Sequence, residues 1–263
     1  MLLRAALLAL GLTPLLAPLF PMPAMALECR NETWNGTRYA LCEVDPAKDD
    51  LRLFLYDPGG APYGEFDALN ARLGVEGKTL GFAMNAGMYH EDRSPVGHYI
   101  ENGKELKQVI PNAGPGNFGL LPNGVFCLTP GKARVVETLR YQAERDQLNC
   151  TYATQSGPML VIDGKLHPAF NPDSTSRYIR NGVGVTESGD KAVFVISRQP
   201  VTFHEFASFF RDRLELPQAL YFDGNISRLY APQLGRNDWG QEMGPIVGVV
   251  VDKPDSDPET PSN

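Results

Sequence analysis

Apolar residues recur along this chain in short segments separated by turn-forming residues, a pattern typical of a β-rich fold. Residues 51–56 alternate between apolar and polar positions, which predicts a half-buried strand, and residues 79–84 form a more continuous apolar segment, which predicts a buried one. The same criteria predict strands at 37–44, 96–100, 107–110, 118–121, 124–128, 133–138, 152–154, 159–162, 182–186, 192–197, 219–222, 229–230 and 245–251.

Three stretches are predicted to be helical. Residues 66–73 carry apolar side chains at helical spacing, residues 139–148 do so weakly, and residues 202–214 form the clearest helix. Thr202 is placed to cap this last helix, with Glu205 completing a capping box. Many short strands, few helices and no internal repeat predict an α+β fold: a single domain over residues 27–251, with a mixed, mostly antiparallel β-sheet core and a few flanking helices.

The composition is that of an ordinary globular protein, with 43% hydrophobic and 21% charged residues among 263. A chain of this length can bury a substantial core without help from metals or oligomerisation. The formal net charge of −7 argues against a nucleic-acid partner, because phosphate backbones require a basic surface.

Both ends of the sequence differ in composition from the predicted domain. Arg4, an apolar stretch at 5–20 and a small-residue cleavage site at 24–26 predict a secretory signal peptide over residues 1–26. An uncleaved anchor is the alternative, but the apolar stretch is short and contains two prolines. The acidic, proline-rich tail, 252–263, is predicted to be disordered. We therefore expect a periplasmic or secreted protein, without stable membrane insertion after signal cleavage.

Four cysteines follow the predicted signal peptide: Cys29, Cys42, Cys127 and Cys150. An even number in an exported protein predicts two disulfides. Of the three pairings, proximity in sequence favours Cys29–Cys42 with Cys127–Cys150. Metal ligation is disfavoured, because the chain contains no Cys-x-x-Cys or Cys/His ligand spacing.

Polar side chains cluster beside glycines at four predicted strand ends, where loops held on a rigid sheet commonly carry function. Asp223 follows the strand at 219–222, and Gly224 indicates a turn, since glycine accepts a positive φ without steric cost. Asp223 is the candidate acid, base or nucleophile, and Arg180 offers a planar guanidinium suited to phosphate. The candidates for substrate binding are Asn85, Gly87, Gln155, Ser156, Gly157, Arg177, Asn181, Gly224, Asn225 and Ser227.

Several of these candidates also have a structural interpretation. Arg180 is equally compatible with a surface salt bridge, and Gln155 and Ser156 with hydrogen bonds to buried backbone. Ser156 does not lie in a Gly-x-Ser-x-Gly elbow, which argues against an α/β-hydrolase triad. His98, near the Asn85 segment, is a further candidate for proton transfer.

Four short motifs lie at these strand ends: Asn85-Ala86-Gly87-Met88-Tyr89, Gln155-Ser156-Gly157-Pro158, Arg180-Asn181-Gly182-Val183-Gly184 and Asp223-Gly224-Asn225-Ile226-Ser227. In this order they resemble the Asn-Gly/Ala-Gly-aromatic, Ser-Gly-Pro, Arg-x-x-x-Gly and Asp-Gly-Gly-x-Ser segments of the phosphodiester glycosidase family. That family includes N-acetylglucosamine-1-phosphodiester alpha-N-acetylglucosaminidases, and the chain is similar to its bacterial exported members over residues 80–250. Asn225 stands where the family has its second glycine, and asparagine tolerates the left-handed region better than most residues.

The resemblance implies a hydrolase that cleaves the bond between a sugar anomeric carbon and a phosphodiester oxygen, releasing free sugar and a phosphomonoester. Arg180 would then hold the phosphate, while Asp223 orients the sugar, stabilises an oxocarbenium-like centre or activates water. The expected substrate is a sugar phosphate or a cell-envelope glycan. No cofactor is required and no metal ligand is assigned, although a divalent cation such as calcium is compatible with the oxygen-rich candidates.

Two alternatives to this hydrolase stay open on the sequence. One is a non-catalytic envelope module that binds a glycan or sugar phosphate. The other is a phosphodiesterase that cleaves on the far side of phosphorus and leaves the sugar phosphorylated.

Overall fold

Short strands dominate the fold, as the sequence pattern predicts. A computed structural model describes residues 27–253, with seventeen strands and three α-helices among them. The predicted signal peptide, residues 1–26, and residues 254–263 of the predicted tail lie outside the described part. The strands are β1 (Glu28–Trp34), β2 (Thr37–Val44), β3 (Asp50–Phe54), β4 (Lys78–Asn85), β5 (Tyr99–Glu101), β6 (Lys104–Lys107), β7 (Gly124–Thr129), β8 (Lys132–Glu137), β9 (Tyr152–Ser156), β10 (Met159–Ile162), β11 (Lys165–Leu166), β12 (Asn181–Val185), β13 (Ala192–Ser197), β14 (Gln218–Asp223), β15 (Leu229–Ala231), β16 (Arg236–Asn237) and β17 (Ile246–Asp252). The helices are α1 (Phe66–Gly74), α2 (Thr138–Leu148) and α3 (Phe203–Ser208).

The strands form three sheets, which we number by size and position. Sheet 1 has seven strands in the order β1-β2-β13-β12-β14-β10-β11. Sheet 2 has the order β16-β15-β4-β17-β3, and sheet 3 the order β6-β5-β9-β7-β8. Neighbouring strands within these described sheets pair antiparallel. The α+β class with mostly antiparallel pairing is therefore confirmed.

A cluster of phenylalanines joins the three sheets. The Phe194 ring of sheet 1 lies 4.9 Å from Phe82 of sheet 2 and 5.8 Å from Phe126 of sheet 3. Phe126 also lies 6.2 Å from Phe222, on the strand that ends at Asp223. All four side chains are fully buried. Because truncating such a residue typically costs about 3–5 kcal/mol, this cluster fixes where the sheets meet.

Helix α3 covers the opposite face of sheet 1. Thr202 Oγ1 accepts a hydrogen bond from Glu205 N at 3.1 Å, and Glu205 Oε2 accepts one from Thr202 N at 2.8 Å. This capping box confirms the helix start that the sequence predicts. The chain continues as a π-helical turn, Phe209–Arg213, whose first side chain stacks on Tyr39 with ring centroids 3.9 Å apart. Sheet 1 is thereby buried on both faces.

Two disulfides staple neighbouring segments, in the pairing that sequence proximity favours. Cys29–Cys42 links directly paired positions of β1 and β2, and Cys127–Cys150 ties β7 to the segment that precedes β9. They span 13 and 23 residues of sequence. For loops of this size the entropic model gives about 3 kcal/mol of stabilisation each.

Several segments differ from the sequence prediction, among them the two-residue strands β11 and β16, which were not predicted. Of the strand predicted at 107–110, only residue 107 lies in a strand, as the last residue of β6. Ile110 pairs instead with the Gln155 side-chain amide: Ile110 N donates to Gln155 Oε1 at 3.0 Å, and Gln155 Nε2 donates to the Ile110 carbonyl at 2.7 Å. The strand predicted at 118–121 is a turn. Strand β1 was not predicted, because most of its residues are polar and only one of them is buried.

The half-buried Glu101 predicts a pH dependence of folding. Burial raises its pKa from an ordinary 4.5 to about 7, although hydrogen bonds from the Tyr99 hydroxyl and the Leu55 backbone lower it. The folded state therefore favours the protonated carboxyl, so this stability is present below pH 4.5 and is lost as pH rises through 7. Between pH 4.5 and 8 the melting temperature of the wild type should fall relative to that of Glu101→Gln, whose side chain is uncharged at every pH. The exposed Glu187→Gln serves as control, and parallel curves for wild type and Glu101→Gln would contradict the assignment.

Candidate active site

Asp223 lies at the crossing from sheet 1 to sheet 2. It is the last residue of β14, and the segment 224–228 leads directly into β15. Asn181, at the start of β12, and Asn85, at the end of β4, come from the same two sheets and meet behind this segment. Three of the four predicted motifs thus converge on the crossing turn, residues 223–228.

The side chains of Asn85 and Asn181 form a fully buried amide pair. Asn181 Nδ2 donates to Asn85 Oδ1 at 3.0 Å and to the Asn85 carbonyl at 2.9 Å. Asn85 Nδ2 donates to the Ile226 carbonyl at 2.6 Å, while Asn85 Oδ1 accepts from Arg228 N at 3.0 Å. Asn181 Oδ1 accepts from Asp223 N at 3.1 Å. The pair therefore binds the crossing turn at both ends, and these two side chains position the turn from behind.

The crossing turn is also closed from within. Asp223 Oδ1 accepts hydrogen bonds from Gly224 N at 2.6 Å and from Asn225 N at 2.9 Å. Ser227 Oγ donates to the Asp223 carbonyl at 3.0 Å or the Ile179 carbonyl at 3.1 Å. Ser227 is thus committed to backbone, and Asn225, whose side chain is exposed, is the candidate that faces solvent.

Burial raises the pKa of the Asp223 carboxyl. Backbone amides of Asn225, Gly224 and Ile226 donate to it and lower the pKa, but they do not outweigh the loss of water. A carboxyl with a raised pKa on a rigid turn has the properties of a proton-transfer group.

Gly224 is needed for space rather than for an unusual φ. The residues with positive φ do not include Gly224 or Asn225, which corrects the turn argument made from the Asp-Gly pair. A Cβ at position 224 would lie 2.1 Å from the Tyr221 hydroxyl oxygen, far inside contact distance. The turn thus rests directly on that hydroxyl.

Arg180 is buried behind the same hydroxyl, with a side chain only 1% exposed. Nη1 donates to Tyr221 Oη at 3.3 Å, Nε to the Val201 carbonyl at 2.9 Å, and Nη2 to the Ser176 carbonyl at 3.2 Å. The guanidinium carbon also lies 3.7 Å from the centroid of the Phe203 ring. These partners are neutral, and burial lowers the pKa of Arg180. The side chain is no surface salt bridge; it is a buried cation that reaches the crossing turn through Tyr221.

The Gln155-Ser156-Gly157 segment supports the site from sheet 3. Ser156 Oγ donates to the Phe222 carbonyl at 2.9 Å, next to Asp223. Gln155 instead faces the 98–110 segment, where its Oε1 accepts from His98 N at 3.0 Å. Gly157 packs against Asn123, whose Cβ lies 2.5 Å from where a Cβ at 157 would stand. The side chains of Gln155 and Ser156 therefore hydrogen-bond buried backbone groups, which is the structural role that the sequence also allowed for them.

The other predicted candidates lie around this arrangement. Gly87 has φ +144°, and a Cβ at this position would lie 3.0 Å from the Thr154 hydroxyl oxygen. Arg177 is half-exposed and forms a two-bonded ion pair with Glu205, at 2.8 and 2.9 Å. The imidazole of His98 is held between the Lys107 carbonyl, at 2.7 Å, and the Tyr141 hydroxyl, at 2.9 Å. Within the described residues, the side chains of Arg177 and His98 thus bond groups outside the crossing turn.

Sequence reasoning missed three side chains that border the turn. Tyr89 Oη donates to the Glu242 carbonyl at 2.9 Å, and burial with the nearby Asp223 carboxylate raises its pKa to about 12. The Tyr221 hydroxyl, described above, is the second. Arg228 is the third: it is 5% exposed and binds carbonyls of the following loop. Tyr89 lies inside the Asn85 motif and Tyr221 two residues before Asp223, so their closeness in sequence to Asn85 and Asp223 was the available signal.

Within residues 27–253, no three side chains among His, Cys, Asp and Glu are grouped as ligands for a metal ion. None of the helices in that range is both long and apolar enough to cross a bilayer.

Loss of the amide pair should loosen the crossing turn selectively. In Asn181→Ala, Asp223 N loses its acceptor and Asn85 loses the donor to its side-chain and backbone oxygens, so we expect a loss of about 1–3 kcal/mol in unfolding free energy. Amide hydrogen exchange should accelerate over residues 223–228, while the exposed Asn112→Ala leaves it unchanged. Uniform acceleration across all three sheets would contradict a local positioning role.

Comparison with known proteins gives a consistent result. Residues 78–257 match the phosphodiester glycosidase family. The uncharacterized protein YigE of Escherichia coli K12 is 35% identical over 215 residues, which span 82% of each chain. The catalytic domain of zebrafish N-acetylglucosamine-1-phosphodiester alpha-N-acetylglucosaminidase, auto-inhibited by its pro-peptide, superposes with a TM-score of 0.59 at 15% identity, covering 85% of this chain and 82% of that one.

Two other solved structures share the fold. A hypothetical protein from Synechocystis has a TM-score of 0.57 at 13% identity, covering 86% of this chain and 62% of its own. A putative exported protein from Burkholderia pseudomallei has a TM-score of 0.52 at 12% identity, covering 81% and 74%. The sequence match and the relative at 35% identity together show that this chain belongs to the phosphodiester glycosidase family.

Proposed function

We propose that this protein hydrolyses glycosyl phosphodiesters, breaking the bond between the anomeric carbon and the phosphate oxygen. The observation that carries the proposal is a carboxyl of raised pKa, Asp223, on a turn that buried amides fix beside a buried arginine. Family membership supports the same reaction class. Free sugar and a phosphomonoester would be the products.

Asp223 is proposed as the base that activates water. The phosphate departs with the electron pair of the broken bond and needs little help from an acid, so the proton that must move belongs to the attacking water. Water oxygen bonds to the anomeric carbon as the carbon–oxygen bond to phosphate breaks, and Asp223 takes the water proton. A raised pKa makes the carboxylate a better acceptor of that proton.

Arg180 is proposed to stabilise the departing phosphate through its charge. The hydrogen bonds of its guanidinium go to neutral oxygens, so its positive charge is not cancelled by them. In a low-dielectric surrounding such a charge acts at longer range than in water. The Tyr221 hydroxyl, between Arg180 and Gly224, is the nearest polar group through which that field reaches the turn.

The expected site of action is the periplasm or the exterior of the cell. Two disulfides support an oxidising compartment, and the predicted signal peptide supports export. Sugar phosphates and phosphodiester-linked envelope glycans would be the substrates available there.

Replacing Asp223 should abolish turnover without unfolding the protein. Against a panel of sugar-1-phosphodiesters, Asp223→Asn should lower kcat/KM by at least about a hundredfold, the usual contribution of a proton-transfer group. Asp173→Asn, on an exposed loop, is the matched control. Products are identified by NMR, whose anomeric signals also separate water activation, with inversion, from a covalent intermediate, with retention. Repeating the assay in the presence of a chelator tests whether turnover depends on a divalent cation such as calcium.

Other outcomes of this assay would overturn the proposal. Saturable binding of sugar phosphates without turnover would indicate a non-catalytic envelope module. A phosphorylated sugar among the products would indicate a phosphodiesterase. Unchanged turnover in Asp223→Asn would remove Asp223 from the mechanism.

The contact between Gly224 and Tyr221 gives a second test. Gly224→Ala should displace the turn, with an expected loss of about a hundredfold in kcat, because small misplacements of reacting groups are costly. In a Tyr221→Phe background the clashing oxygen is absent, so the added effect of Gly224→Ala should be much smaller. Additive effects of the two changes would contradict the steric account.

A further inference from the structure

An exposed tryptophan stands beside the crossing turn. The Trp239 side chain is 91% exposed, in a polar cleft of about 540 Å³ that it shares with Asn225, Ser227, Arg228 and Gln241. The size is within the range of roughly 300–1,000 Å³ found for small-molecule sites. An isolated exposed apolar residue needs no explanation, but this one sits on a loop that the protein holds firmly.

Arg228 is the residue that holds this loop. It is almost fully buried, and its Nε donates to the Asp238 carbonyl at 3.0 Å while Nη1 donates to the Gln241 carbonyl at 3.0 Å. A carboxylate, Glu65, pairs with the same guanidinium. The two carbonyls flank Trp239, so a buried charge fixes the backbone on both sides of an indole that is itself left in water. Arg228 is the last residue of the crossing turn, so its guanidinium ties this loop to the turn.

The cleft offers the chemistry of a sugar subsite. An indole face packs against the apolar C–H face of a pyranose, and aromatic side chains carry large contact areas. The exposed amides of Asn225 and Gln241 on the same cleft are suited to sugar hydroxyls. Among residues 27–253, Arg228 is the one lysine or arginine that lines the cleft, and its guanidinium already binds loop carbonyls, so the cleft is less suited to phosphate.

We infer that Trp239 is a platform on which a pyranose ring of the substrate stacks. The orientation of the substrate in this inference rests on the proposed function. Arg180 and Tyr221 lie on the sheet 1 side of the turn and Trp239 on the Arg228 side, so a phosphate facing Arg180 places the glycosyl part toward Trp239.

The chain contains two tryptophans, which makes the test direct. In Trp34→Phe the remaining indole is Trp239, and Asp223→Asn in the same chain prevents turnover during a titration. Methyl α-glycosides of glucose, galactose and N-acetylglucosamine should produce a saturable change in fluorescence, and inorganic phosphate should not. A flat response to every glycoside overturns the platform, and a response to phosphatidylcholine vesicles in place of sugars overturns it in favour of a membrane contact.

Kinetics give an independent readout. With a phosphodiester that the wild type cleaves, Trp239→Ala should raise KM by about tenfold at nearly unchanged kcat, and Trp239→Phe should recover most of that loss. Leu139→Ala removes another exposed apolar side chain, from α2, and should change neither constant. An unchanged KM in Trp239→Ala overturns the inference while the proposed hydrolysis stands. Saturable fluorescence without turnover by the wild type supports the platform while the hydrolysis falls.

Discussion

One buried pair of asparagine side chains determines the geometry of this site. Asn85 belongs to sheet 2 and Asn181 to sheet 1, and their amides bind each other and both ends of the turn that carries Asp223. An amide in this position cannot be left half satisfied, because each buried group without a partner costs about 1–3 kcal/mol. The sheets, the turn and the pair must therefore adopt their arrangement together. The phenylalanine cluster brings the sheets to the right distance, and the amides select the register of the turn within it.

Two buried arginines, Arg180 and Arg228, lie at the turn, and they have different roles. Arg228 forms an ion pair with Glu65 and donates its other hydrogen bonds to loop carbonyls, so its role is structural. Arg180 bonds neutral oxygens and packs on an aromatic ring, an arrangement that keeps its charge effective. Burying a charge without a counter-ion costs several kcal/mol, and a fold gains nothing in stability from it. Under the proposed function, the phosphate of the substrate would supply a counter-ion.

Much of the fold followed from local patterns, whereas the candidate site was predicted from motifs. The capping box, the apolar spacing of α1 and α3, and the runs that became β4, β13 and β17 are properties of neighbouring residues, so the sequence alone predicts them. Gln155 could not be assigned this way: it is 45 residues from Ile110, whose backbone it holds. Arg180 was expected to contact phosphate, because the sequence does not reveal that Phe203 and Tyr221 bury its guanidinium. Such contacts depend on the path of the whole chain.

The departure of this chain from its family pattern at Asn225 has a simple physical account. Neither Asn225 nor Gly224 adopts a positive φ, so neither position requires a backbone conformation that favours glycine. Gly224 is constrained because the Tyr221 hydroxyl occupies the space that a side chain would need. Asn225 uses only its backbone amide, which binds Asp223 Oδ1, and its side chain extends into the cleft that Trp239 borders. A substitution there changes the surface of the cleft and leaves the carboxyl where it was. Under the proposed function, Gly224 would preserve the geometry of the reaction, and position 225 would be free to vary with the substrate.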